Sequence, residues 1–293
     1  MNKSFTLIEI LVVIVVIGVL SAFILVGMSS ITSSANIAKS QAFVNSMDNS
    51  LLLGRVSEWK LDVNNVPAAN QTPDAWGVNT GTLGDGSTAT TFPTLQESGC
   101  ISGKCFSFDG STDYVDCGNG SNLSFGSGNF TVSLWVKSSV FSGPHVISKR
   151  SGVGYWFYAS LGGTYFYIKD ASSANIGAGV SRSIYDGTWH NLIGIRNNPN
   201  LYFYLDGIQM GGPVDVSSIG SLNVVSNLIF GMQTTYYWAG SIDDVRMYNT
   251  AIPISEIQQD YYTGLNKLLI NSSIYVEEFN QRMSELSGSL ADN

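Results

Sequence analysis

Phe130-Thr131-Val132-Ser133-Leu134-Trp135-Val136-Lys137 alternates residue by residue. In an extended chain Val132, Leu134 and Val136 fall on one side, and Thr131, Ser133 and Trp135 on the other. Leu201, Phe203 and Leu205 oppose Tyr202 and Tyr204 in the same way. Period two with an apolar inner row predicts two packed antiparallel sheets. Similar runs rich in aromatic and β-branched residues lie at 57–62, 104–109, 114–117, 146–149, 156–161, 165–169, 188–196, 201–206, 227–230 and 240–248. Glycine, asparagine and serine separate them, as turns require. One short helix is expected here, with Ser255 as its cap, Glu256 in its first turn, and Ile257 and Tyr261 on one face.

Toward the amino terminus the chain changes character. Met1-Asn2-Lys3-Ser4 is polar, Phe5-Thr6-Leu7-Ile8-Glu9 follows, and Ile10 to Met28 carries no charge. As a helix those 19 residues reach roughly 28 Å, close to the ~30 Å hydrocarbon core of a bilayer. A transmembrane span at about 8–28 is therefore expected. Lys3 precedes the span and the next basic residue is Lys39, which favours the leader inside and the remainder outside. Glu9 is the anomaly, because a carboxylate at a membrane margin is costly unless paired. A cut after Ser4 would place a new amine on Phe5, one helical turn from Glu9. In a bundle of such helices the amine of one chain can pair with Glu9 of its neighbour and fix their register. The competing reading is a secretory signal peptide cut near Ser21-Ala22-Phe23. Ile31, Ala35, Ala38, Ala42 and Met47 continue at helical spacing, so one helix is expected from about residue 6 to 53, ending near Gly54.

The leader and span resemble the type IV pilins and type II secretion pseudopilins, on Lys3-Ser4 before Phe5-Thr6-Leu7-Ile8-Glu9-Ile10-Leu11-Val12-Val13-Ile14 and on Gly18. The resemblance implies removal of residues 1–4 by a prepilin peptidase, N-methylation of Phe5, and a role for Glu9 in adding subunits to a filament. It departs from the family in having Ser4 where glycine usually precedes the cut. The implied partners are other pilin or pseudopilin subunits, the peptidase, an inner-membrane assembly platform and membrane lipid. The implied location is a single pass in the cytoplasmic (inner) membrane, amino terminus inside and head outside. After assembly the subunit would stand in a cell-surface or periplasmic filament.

The remainder resembles a laminin-G-like, concanavalin A-like jelly roll. The resemblance rests on 107–115, Phe130–Lys137, Trp189-His190-Asn191-Leu192, Leu205-Asp206-Gly207 and 240–249, with 57–62 as the first strand. The expected architecture is mainly β, a two-sheet sandwich behind a long amino-terminal helix. Its domains are a leader at 1–4, the pilin-like helix at 5–54, the head at 55–264 and a partly helical tail at 265–293. In the tail, Phe279, Met283, Leu286 and Leu290 recur at helical spacing.

Cys100 and Cys105 bracket four residues, and outside the cytoplasm that spacing closes a small disulfide loop. Cys117 is expected as a buried free thiol. Two histidines, His145 and His190, have no cysteine-rich surroundings, which argues against zinc. Asp243 and Asp244 are adjacent and so are expected on opposite faces of a strand, poor geometry for a glycosidase acid and base. No catalytic role is expected. Laminin-G-like modules often bind calcium, and Asp62, Asp109 and Asp244 are the candidate ligands. The competing and favoured reading is that these carboxylates cap turns, so no cofactor is required. Tyr155-Trp156-Phe157-Tyr158 and Tyr236-Tyr237-Trp238 are candidates for stacking on a surface glycan, or for sheet faces and protein contacts. A net charge of −8 without a basic stretch argues against nucleic acid. The leading expectation is a structural filament subunit displaying this head; the alternative is a glycan- or protein-binding adhesin.

Overall fold

The computed structural model describes residues 54–62, 70–172 and 174–291. Ser4, Phe5, Glu9 and the expected helix at 5–54 fall outside the described residues, apart from Gly54. Among the described residues no helix is long and apolar enough to cross a membrane.

Twelve strands carry the sandwich: β1 (Arg55–Trp59), β2 (Cys105–Asp109), β3 (Val115–Asp116), β4 (Phe130–Lys137), β5 (His145–Arg150), β6 (Gly154–Ser160), β7 (Gly163–Lys169), β8 (Ile176–Val180), β9 (Trp189–Asn197), β10 (Asn200–Leu205), β11 (Leu228–Phe230) and β12 (Ala239–Tyr248). Every one of these except β8 coincides with an expected run, with ends shifted by no more than three residues. The sequence hides β8 because it carries Gly177 and Gly179, poor strand formers. Both glycines are required. A Cβ on Gly177 would sit 2.4 Å from the Tyr167 ring, and one on Gly179 would sit 2.4 Å from Tyr165.

A nine-stranded sheet runs Ile208–Gln209, β10, β9, β4, β12, β2, Thr94–Gln96, with β1 also paired to β12 and Val214–Asp215 to β10. An eight-stranded sheet runs β8, β7, β6, β5, β11, β3, Gly81–Leu83, Gln71–Thr72. The sheet pairings are antiparallel, β9 meeting β4 with Leu192 opposite Leu134 and β12 meeting β4 with Ile242 opposite Val136. Between the sheets, Val132, Leu134 and Val136 of β4 join Phe157, Phe166, Phe203 and Phe230 in one core. This is the inner row that the alternation predicts.

The outer side of β4 is buried as well. Two helices, α1 (Ile254–Ile270) and α2 (Val276–Ala291), follow the last strand. Trp135 stacks on Tyr261 of α1, centroids 5.7 Å apart and planes 13° from parallel. Trp135, Trp189, Tyr261, Leu265, Leu268, Ile274 and Leu286 form a second apolar cluster, with Phe279 and Met283 of α2 against it. A Cβ on Gly264 would lie 2.1 Å from the Trp135 indole, so α1 approaches this closely only because residue 264 is glycine.

Three expectations are corrected. The helix is not short, and Ser255 does not cap it. Pro253 stands at the N-cap, its carbonyl accepting from the amides of Glu256 and Ile257. Proline's fixed φ suits a helix start, where no amide proton is needed. The boundary at 264/265 falls inside α1, because Leu265 and Leu268 are part of the packing under that helix. Finally, Asp243 and Asp244 do not take opposite faces. Ile242 and Val245 both point into the inter-sheet core, so the chain gains a residue between them. The register against β4 slips between Asp243 and Arg246, and Asp244 adopts φ +45°. This is a bulge, which interrupts period two and turns both carboxylates toward the outer side.

Candidate functional site

The bulge feeds a buried ion network. Arg246, 4% exposed, donates from Nε to Glu58 Oε1 at 2.9 Å, from Nη1 to Asp260 Oδ1 at 2.5 Å and from Nη2 to Asp244 Oδ2 at 3.1 Å. Lys267 Nζ lies 3.6 Å from Asp244, and the Ser133 hydroxyl donates to Asp260 at 2.9 Å. One guanidinium thus joins β1, β12 and α1. Burial would raise the Asp244 carboxyl, but the charges of Arg246, Lys267 and Lys60 outweigh it and hold the group below its ordinary value. Asp243 is pushed the other way, by burial first and then by the charge of Asp244. Its carboxylate accepts from the amides of Ile101 at 2.8 Å and Ser102 at 3.4 Å, inside the loop closed by the Cys100–Cys105 disulfide. The same loop receives the end of α1: Asn271 Nδ2 donates to the Cys100 carbonyl at 2.9 Å. Cys117 is a buried free thiol, its pKa raised by burial.

The three calcium candidates do not fit one site. Asp109 is spent on a turn: its carboxylate accepts from the amides of Ser111 at 2.8 Å, Thr112 at 2.9 Å and Asp113 at 3.1 Å. Those bonds, with the Ser111 hydroxyl, overcome burial and hold Asp109 below its ordinary pKa. Asp109 pairs with Ala239, five residues along β12 from Asp244, a rise of roughly 17 Å. Asp62 accepts from the Lys104 amide at 2.7 Å and senses the charge of Asp244, but is remote from Asp109 in the chain's pairing. Among the described residues the one cluster of three potential ligand groups is Cys100, Cys105 and Asp243. The two sulfurs there are bonded to each other.

His190 was not singled out as a functional group, and it sits in a polar cleft of about 240 Å³ beside α2. Its Nδ1 is 2.7 Å from Asp206 Oδ2 and its Nε2 is 3.2 Å from Asp186. Burial opposes the charged ring, yet Asp206 and Asp186 raise its pKa overall. Arg282 of α2 closes the cleft by donating to the Trp189 carbonyl at 2.7 Å and to Glu278 at 2.7 Å.

The aromatic runs separate by the strand period. In β6, Tyr155 and Phe157 enter the core, while Trp156 and Tyr158 take the outer side. Trp156 is 2% exposed, stacked on Tyr167 at 5.3 Å with the Arg150 guanidinium 4.1 Å from its centroid. Its ring is therefore consumed within the sheet face rather than offered to a ligand. Trp238 is likewise buried, whereas Tyr236 is 55% exposed. Phe141 and Tyr236 are exposed at one end of the sandwich, where β2 and β4 finish and β5 and β12 begin, while Trp76 is exposed beside Arg55 and Tyr275 between α1 and α2. Phe141 meets Tyr185 edge-on at 5.6 Å, and His145 lies 5.6 Å from Tyr158 and 6.0 Å from Tyr236. The chain enters the head at the opposite end, Arg55 pairing with Tyr248 at the far terminus of β12.

The family model described as the concanavalin A-like lectin/glucanases superfamily matches residues 109–258. The model of the prokaryotic N-terminal methylation motif matches residues 1–25. No curated protein matches the chain. Among solved structures it is similar to the binding domain of Paraclostridial Mosquitocidal Protein 1, at 14% identity and a TM-score of 0.58, over 71% of this chain and 52% of that one. It is similar to the receptor binding domain of botulinum neurotoxin C/D mosaic serotype, at 15% identity and a TM-score of 0.57, over 71% of this chain and 51% of that one. A further likeness is to the botulinum neurotoxin serotype D ligand binding domain in complex with N-acetylneuraminic acid, at 14% identity and a TM-score of 0.55, over 71% and 50% of the two chains. At such identities the likeness is one of fold, and the chain spans about half the length of these structures. The chain belongs to the concanavalin A-like lectin/glucanases superfamily and carries a prokaryotic N-terminal methylation motif ahead of its jelly-roll head.

Proposed function

We propose that this protein is a pilin-like or pseudopilin subunit that displays a lectin-like head from a type IV pilus or type II secretion-like filament. The observation that carries the reading is the methylation motif over residues 1–25, which includes Ser4, Phe5 and Glu9. In this reading a prepilin peptidase cuts between Ser4 and Phe5, Phe5 is methylated, and the apolar span holds the precursor in the inner membrane. The head lies outside the cytoplasm, where the Cys100–Cys105 bond is stable. Assembly then joins the Phe5 amine of one subunit to Glu9 of the next. The head has no catalytic role and requires no cofactor. Supporting this, Asp243 and Asp244 are engaged by backbone amides, Arg246 and Lys267, and Asp109 by its own turn.

The Glu9→Ala variant tests the reading. Membrane insertion and head folding should persist, while incorporation into filaments with other pilin subunits falls at least about tenfold, the loss of roughly 1.4 kcal/mol of subunit pairing. Incorporation at the wild-type level would overturn the pairing mechanism.

A second reading, of a surface adhesin for glycan or protein, is favoured by a specific observation. Phe141 and Tyr236 are exposed at the end of the sandwich opposite Arg55, where Trp76 is exposed as well.

A further inference from the structure

The disulfide loop brings together more than its two sulfurs. Cys105 opens β2, which pairs with β12 so that Phe106 faces Ile242, and this register sets Cys105 beside Asp243. Cys100 Sγ, Cys105 Sγ and a carboxylate oxygen of Asp243 lie within 4.8 Å of one another, on three buried residues. With the sulfurs bonded to each other the group offers little to a metal. With the bond reduced, the same atoms are two thiolate ligands and one carboxylate ligand aimed at a shared point.

Three features say which cation the reduced loop would take. The first is spacing. Cys100-Ile101-Ser102-Gly103-Lys104-Cys105 places four residues between the cysteines, within the range of structural zinc sites. Their Cα atoms are 5.5 Å apart, so the backbone already holds both side chains near one centre. The second is the oxygen shell. Asp243 is fixed by the amides of Ile101 and Asp244, each at 2.8 Å, before any metal arrives. Cys100 Sγ lies 3.6 Å from the Ser98 carbonyl oxygen and 3.7 Å from that of Gln96, and either oxygen can complete a fourfold shell. The third is charge. Asp62 accepts from the Lys104 amide at 2.7 Å, which adds a carboxylate beside the loop, while the Lys104 ammonium is engaged by Glu97 at 2.7 Å. Two thiolates in such surroundings call for a compensating dication. Sulfur ligands disfavour calcium and magnesium, and a small shell of two sulfurs with oxygen suits zinc.

We infer that the reduced loop is a zinc site, with Cys100, Cys105 and Asp243 as ligands, and that zinc and the disulfide are alternative closures of the same loop. Either closure preserves the socket for α1, where Asn271 Nδ2 donates to the Cys100 carbonyl at 2.9 Å. Passage from one to the other is a thiol–disulfide exchange. A small disulfide oxidant takes two electrons from the Cys100 and Cys105 thiolates and leaves as two thiolates of its own, the S–S bond forms, and Zn²⁺ is released. The inference does not depend on the filament reading.

The test uses the full chain in detergent micelles, expressed in a reducing cytoplasm and kept with a phosphine reductant under nitrogen. Alkylation and mass should count three thiols, Cys100, Cys105 and Cys117. Co²⁺ then serves as a coloured probe. A thiolate-to-cobalt charge-transfer band should grow to saturation at about one equivalent, and Zn²⁺ should bleach it. Cys100→Ser and Cys105→Ser should each remove most of the band. Asp243→Asn should weaken zinc by about tenfold or more, since even second-shell partners of a metal are worth that much. Cys117→Ser alters a thiol in the inter-sheet core and should change nothing. The oxidised chain should give no band. No band in the reduced wild type would overturn the inference, as would a band lost only in Cys117→Ser, or wild-type zinc affinity in Asp243→Asn. Circular dichroism follows the fold. A reduced chain that loosens and is restored by zinc supports the site, and one that zinc does not restore overturns it. A bond that forms even under these conditions leaves no reduced site and overturns it too.

Discussion

The two sheets share one core, yet their outer faces are built on different principles. The nine-stranded sheet is covered: α1 and α2 pack on Trp135 and Trp189, and Arg246 joins three acidic residues beneath α1. The eight-stranded sheet carries no helix over it among the described residues, and seals its outer face with its own rings, Trp156 between Arg150 and Tyr167. Buried charge on the covered face serves to hold elements together. Phe141 and Tyr236 are exposed instead at the end remote from Arg55. The difference teaches where stability resides and where recognition has room.

Arg246→Ala should have the largest effect. It leaves Glu58, Asp244 and Asp260 buried without their common cation, at a cost of about 3–5 kcal/mol. Urea unfolding followed by tryptophan fluorescence reads this directly. Tyr236→Ala at the exposed end should move the same midpoint by no more than about 0.5 kcal/mol. Equal losses from the two changes would erase the contrast.

Gly264→Ala sharpens the same contrast at a single methyl. The new Cβ meets the Trp135 indole at 2.1 Å, so α1 must lift or the indole must shift, costing about 1–3 kcal/mol. Near-ultraviolet circular dichroism should lose part of its tryptophan signal. An unchanged spectrum and midpoint would mean that α1 does not rest on Trp135.

The two histidines divide along the same line. His190, on the covered side between Asp206 and Asp186, has a raised pKa. Its contribution is present at acid pH and is lost as pH rises through that raised value. His145 at the exposed end has its pKa lowered to about 4. Its contribution is present above about 6.5, the ordinary histidine value, and is lost as pH falls toward 4. His145→Phe should therefore flatten the acid fall in stability between those values, by roughly 1–2 kcal/mol once residual solvent screening is allowed for. A pH series of thermal midpoints checks it. An unaltered acid limb would show that His145 is not held neutral.

Much of the sandwich was legible because strand alternation is a local signal. Phe130–Lys137 carries its inner and outer rows within eight residues. What the outer row meets was not legible, since Trp135 finds Tyr261 far along the chain. The length of α1 was not legible either, since its close seat depends on Gly264 leaving room for the Trp135 indole. The Asp243-Asp244 pair misled because a bulge defeats a reading by period two. At the exposed end the sequence flagged Tyr158 and Tyr236 but neither Phe141 nor the placement of His145 between them, because these come together only through the loop and strand pairing. The Cys100–Cys105 bond was visible from spacing alone, and the structure contains it. Its use as a socket for Asn271 depended on tertiary contact.

The amino terminus of the protein purified from its native host bears most directly on the central claim. Intact mass and amino-terminal sequencing should find a chain that begins at N-methylated Phe5 and retains the apolar span. A chain that begins beyond residue 20 would identify an ordinary signal peptide and would contradict the filament-subunit account.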